Sequence, residues 1–252
     1  MSTCVDRLYQ LICCIVNKVV SELSLPSASI EVGSLPGTRV GINLNSGSIT
    51  VPKMVLERIC TRAESCKNNP LYCLSILEAV IDVACRCVLL SSLYETEKEL
   101  FTALPKLASF LLRLEGTLPT VGEKELYNLT ASAIFYTTYL MEIPLKASYA
   151  VTNKIYSIVT PRLKNLDMVA YRLVQYLTRG VPEMGIVCEE VADVILSLGV
   201  VNIVREVMKL ANREITLGEK TLLSILSKLR NRLESRGFHE SAVELGKILG
   251  QA

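Results

Sequence analysis

Apolar positions recur at helical spacing along most of the chain. Val5, Leu8, Ile12, Ile15, Val16, Val19 and Leu23 fall on one side of a helix over 4–23, with Ser2 or Thr3 placed to cap it. The pattern then changes period. Between 25 and 52 the chain is rich in Gly, Ser and Pro, and apolar residues alternate: Ile30 and Val32, then Val40, Ile42 and Leu44, then Ile49 and Val51. Asn45-Ser46-Gly47 supplies residues that tolerate positive φ, so 39–44 and 48–52 are predicted to form a hairpin.

Helical spacing returns after Pro52, which suits the first turn of a helix through Met54, Val55, Leu56 and Ile59. Pro70 precedes a long helix over 71–93, and Pro105 opens another that Gly116 and Pro119 stop. Later helices are expected to break at Gly122, Pro144, Pro161, Gly180-Val181-Pro182, Gly199, Gly218 and Gly237. The fold class is therefore mainly α: a multi-helix bundle or helical array with a small antiparallel β-hairpin or sheet near the N-terminus. A division into 1–118 and 119–252 and a single continuous domain fit the pattern equally.

Half of the residues are hydrophobic and the mean hydropathy is +0.37. The run 71–93 is long enough to cross a bilayer, yet Glu78, Asp82 and Arg86 stand at its centre, at several kcal/mol each in lipid. No membrane span is expected, and a cytoplasmic location is. A formal net charge of +2 gives no overall attraction to polyanions.

Nine cysteines change the picture, eight of them before residue 88. Cys60, Cys66 and Cys73 flank a helix–loop–helix, and a disulfide is expected among them or from there to the first helix; buried thiols and a structural zinc are the alternatives. A thermophile's cytosol would tolerate such a bond, and only three glutamines fit that origin.

Motifs for catalysis are missing. The only histidine, His239, rules out a two-histidine zinc helix and falls where the final helix begins. Gly218-Glu219-Lys220-Thr221 lacks the upstream glycine of a phosphate loop, and Gly33, Gly37 and Gly41 have the wrong spacing for a dinucleotide site. No cofactor is expected. One carboxylate pair is left: Glu78 and Asp82, at i and i+4, form a stripe able to hold a divalent cation, or one closed by Arg86. The order hairpin, short helix, long helix resembles in layout the core of minimal zinc peptidases. Where those carry His-Glu-x-x-His this chain has Glu78 and Asp82, so the likeness is one of architecture.

Two expected late helices carry basic stripes. Arg205, Lys209 and Arg213 recur every four residues opposite Ile203, Val207, Leu210 and Ala211. Lys220, Lys228, Arg232 and Arg236 do the same, opposite Leu222, Leu223, Leu226, Leu229 and Leu233. Packed antiparallel across Gly218, they would form a patch for phosphate backbone or an acidic partner, and otherwise are ordinary solvated faces. The function expected from the sequence is thus a non-catalytic helical interaction or scaffold protein, with a protein partner or a second copy and weak nucleic-acid binding at that patch. The alternative is a carboxylate–metal enzyme using Glu78 and Asp82.

Overall fold

A computed structural model describes residues 3–33, 40–66, 70–162 and 166–250, with the side chains of 70–72 left aside. It bears out the fold class: nine α-helices and one small sheet among the described residues. Ser2, residue 39 and Gly37 lie outside the described residues.

Helix α1 (Cys4–Leu23) starts on a capping box, in which Thr3 accepts from the Asp6 backbone and Asp6 answers to the Thr3 backbone. Strands β1 (Ile30–Gly33), β2 (Gly41–Asn43) and β3 (Ser48–Pro52) follow. The expected hairpin is present, turning at Gly47 with φ 71° and pairing Ile42 with Ile49. The sheet is not wholly antiparallel, however. β1 pairs parallel to β3, Ile30 opposite Ile49 and Val32 opposite Val51, so β3 is the central strand and all five of its residues are buried. Buried serines fix the lead-in to this sheet on a helix: Ser91 bonds to the backbone of Ala28, and Ser92 donates to the Pro26 carbonyl at 3.1 Å.

The remaining helices are α2 (Lys53–Ser65), α3 (Pro70–Thr96), α4 (Lys98–Thr117), α5 (Lys124–Arg162), α6 (Asp167–Arg179), α7 (Met184–Ser197), α8 (Val200–Ser235) and α9 (His239–Leu249). A 3-10 turn covers Leu118–Val121. Two expected breaks do not occur: α5 runs 39 residues through Pro144, and α8 runs 36 residues through Gly218. The break expected at Pro161 is present, since α5 ends at Arg162. Pro105, expected to open its helix, lies inside α4, which begins at Lys98. A glycine costs a helix about 1 kcal/mol and a proline about 3, whereas one fully buried Leu or Ile returns about 1.5–3. The buried faces of α5 and α8 carry many such side chains, so packing outweighs the local cost.

The chain divides into two compact units. One takes residues within 1–43, 48–96 and 146–209. Its centre is α3, which packs on α1, α2, α6 and α7 and is buried nearly all round from Ile76 to Tyr94. This explains why the helix reads as apolar on every side. Among the described residues no helix is long and apolar enough to cross a membrane. The other unit takes 44–47, 97–145 and 210–252, with α4 packed on α9 and the first half of α5 against the second half of α8. Positions 118 and 119, where the sequence allowed a division, both fall within this second unit.

Candidate interaction surface

In the first unit, Glu78 and Asp82 both face the C-terminal part of α5, and both are already engaged. Thr152 donates to Asp82 at 2.8 Å and Thr160 to Glu78 at 2.5 Å. Asp82 also closes on Arg86, one turn along α3, with both side chains buried. Among the described residues no group of three His, Cys, Asp or Glu is arranged to hold a metal ion. Mg²⁺, Mn²⁺ or Zn²⁺ should therefore leave the thermal midpoint unchanged. A rise that disappears in Glu78→Gln plus Asp82→Asn would restore the metal reading, since a ligand selecting the folded state at a hundredfold excess over Kd adds about 2.7 kcal/mol.

The cysteines also separate. Cys60 is bonded to Cys4 at the start of α1, across a Cα separation of 6.0 Å, and Cys14 is bonded to Cys188 of α7 across 6.1 Å. The first is the bond expected from the loop region to the first helix. Cys66 and Cys73, grouped with Cys60 in the sequence, remain thiols, as do Cys13, Cys85 and Cys87. The Cys73 thiol donates to the Cys66 carbonyl at 3.8 Å. Burial pushes the Cys66, Cys73 and Cys85 thiols up and carries Cys87 up to about 12, so none is a ready nucleophile. His239 is the exposed first residue of α9.

The basic stripes take a different form from the one expected. All but Arg236, which follows its last residue, lie on one helix, so no antiparallel pair folds back across Gly218. On a single helix each four-residue step advances about 40° round the axis, so within the second unit the stripe travels roughly 100° between Arg213 and Arg232 and does not hold one line. Arg205 and Lys209 belong to the first unit; Arg213, Lys220, Lys228, Arg232 and Arg236 belong to the second. There Arg232 meets Glu125 at 3.1 Å, while Arg236 meets Glu123 at 3.6 Å and Glu125 at 3.8 Å. Residues 97–145 and 210–250 carry eleven basic and eleven acidic side chains, so this unit presents no net positive field.

What the second unit does present is a seam between α5 and α8. Arg232 sits by Glu125, and a Cβ on Gly218 would stand 2.8 Å from Leu140, so paired positions sum to nearly the same value, as in an antiparallel pair. The two helices thus approach closely at Gly218, which, lacking a side chain, leaves room for Leu140. One cleft along the seam, of about 670 Å³, is lined by Asn128, Ser132, Lys228, Asn231 and Arg232 among others. A second, of about 350 Å³, is lined by Phe135, Tyr136 and Tyr139 from α5 and by Glu214, Leu217, Gly218 and Thr221 from α8. The Phe135 and Tyr136 rings stand edge to face at 5.3 Å, and Phe135 is 64% exposed and Leu217 57% exposed.

The tyrosines between Tyr127 and Tyr176 suggest from their spacing either an aromatic groove or a core edge, and Tyr136 and Tyr139 line the second cleft. The polar cleft was not foreseen, and Leu210 and Leu223, expected on buried faces, are both exposed. The available signal was spacing: Asn128, Ser132, Phe135 and Tyr139 share one side of α5, and Leu210 and Leu217 are seven apart on one side of α8. Comparison of the chain with models of known families, with curated proteins and with solved structures gave no match.

Proposed function

We propose that this chain is a non-catalytic interaction protein and that the α5–α8 seam is its recognition surface. One observation carries the reading: Phe135 of α5 and Leu217 of α8 stand exposed in the lining of one cleft with Gly218, beside a polar cleft that carries Lys228 and Arg232. An aromatic anchor beside polar and charged groups is the composition of a protein-binding centre. Equal numbers of acidic and basic side chains favour a protein partner over a nucleic acid, whose binding depends on surplus positive charge.

For its setting we propose a thermophile's cytosol. Two disulfides stand beside five free thiols, four of them buried. A secreted chain would more often have paired its cysteines, and a mesophile's cytosol would keep them all reduced.

The test uses anilinonaphthalene sulfonate, an apolar anion suited to both halves of the seam. At sub-micromolar protein it should bind saturably to the folded chain, and binding should vanish in Phe135→Ser plus Leu217→Ser with an unchanged melting temperature. No binding, or binding retained in that variant, overturns the reading.

A further inference from the structure

We infer that the occupant of the seam is a second copy of the same seam, paired about a two-fold axis near Thr221; this rests on the interaction reading above. In a two-fold interface a surface meets itself, so whatever one end offers, the other must receive. Lys228 stands seven residues to one side of Thr221, in the polar cleft, and Glu214 stands seven residues to the other, in the aromatic cleft. Both side chains are exposed, and among the described residues neither forms an ion pair, unlike Arg232 and Arg236. An axis at Thr221 brings Lys228 of each copy to Glu214 of the other.

The apolar residues obey the same axis. The register that sets Arg232 by Glu125 and Gly218 by Leu140 puts Tyr136 level with Thr221, so Phe135 lies close to the axis. Phe135 of each copy then enters the cleft made by Tyr136, Tyr139 and Leu217 of the other. Desolvated aromatics sit at the centre and the ion pairs at the rim, the order found in protein interfaces. With acidic and basic side chains equal in number in this unit, no net repulsion opposes the approach. Two helices side by side over the length of α5 in this unit offer about 650 Å² per copy, at the low end for specific interfaces, so a dimer of micromolar affinity is expected.

Sedimentation equilibrium across the micromolar range tests this on the full chain. Wild type should pass from monomer to dimer. Phe135→Glu should be monomeric throughout, with an unchanged melting temperature because the side chain is exposed. Lys228→Glu and Glu214→Lys should each weaken association at least tenfold, and the chain carrying both should recover it, since the swap restores the pair. A wild type that stays monomeric at every concentration overturns the proposal; if it still binds the dye through Phe135, the interaction reading survives with another occupant. A monomer that binds single-stranded RNA at low salt overturns it in favour of nucleic acid. A dimer that persists in Phe135→Glu overturns both the axis and the seam, and a double swap that fails to recover association overturns the two-fold register.

Discussion

Serine at Cys14 or Cys188 should destabilise the protein by up to about 5 kcal/mol, and serine at Cys4 or Cys60 by up to about 4. These figures come from the loops that the bonds close, 174 and 56 residues apart in sequence, in a model where a cross-link acts by restricting the unfolded chain. The route through Cys4–Cys60 shortens the larger loop only modestly, so the two effects should nearly add. Both bonds hold α1: one ties its first residue to α2, the other its middle to α7. Since α1 also packs on α3, losing both frees a helix that touches most of the first unit. Chemical denaturation with and without reductant measures the sum. Thiol counting on denatured protein provides the independent check: five reactive groups without reductant and nine with it. Nine in both samples would mean that the bonds do not form.

Breaking the buried ion pair of α3 should cost about 3–5 kcal/mol. Arg86→Met leaves the Asp82 carboxylate buried with Thr152 as its remaining hydrogen-bond donor, and Asp82→Leu leaves the Arg86 guanidinium buried with its Nε already unpartnered. Either single change strands a charge that water can no longer reach. The double variant, Asp82→Leu with Arg86→Met, should recover most of the loss, because an apolar pair of similar volume removes the desolvation cost together with the attraction. Thr152 keeps an acceptor in that variant, the Ser148 carbonyl at 3.2 Å. Melting of the four proteins in a double-mutant cycle decides the matter. A double variant no more stable than the singles would mean that the pair stabilises this core by more than it costs to bury.

The same pair shows how far the sequence could be read. Glu78, Asp82 and Arg86 at four-residue intervals fix three polar groups on one side of a helix, and the closure of Asp82 on Arg86 follows from spacing alone. Which neighbour would cover that side did not follow. The hydroxyls that engage Asp82 and Glu78 come from Thr152 and Thr160, seventy and more positions away, and only the packing of α5 on α3 brings them there.

By itself the sequence determined what depends on neighbours along the chain. The period of apolar residues specified α1 and its cap, the β2–β3 turn at Gly47, and the mainly helical class. The tertiary structure decided what depends on distant partners. β1 became parallel to β3, because register is set by burial on both sides of the central strand. α8 continued through Gly218 because Leu140 fills the space above that glycine, turning an expected break into a close helix contact. With α8 unbroken, the basic stripe winds round one helix in place of forming a patch, and Phe135 and Leu217 come to line one cleft from α5 and α8. Local preferences are worth about 1–3 kcal/mol at a single residue, and the burial of a whole helix face exceeds them, so the longest elements are where the sequence was least able to mark its own ends.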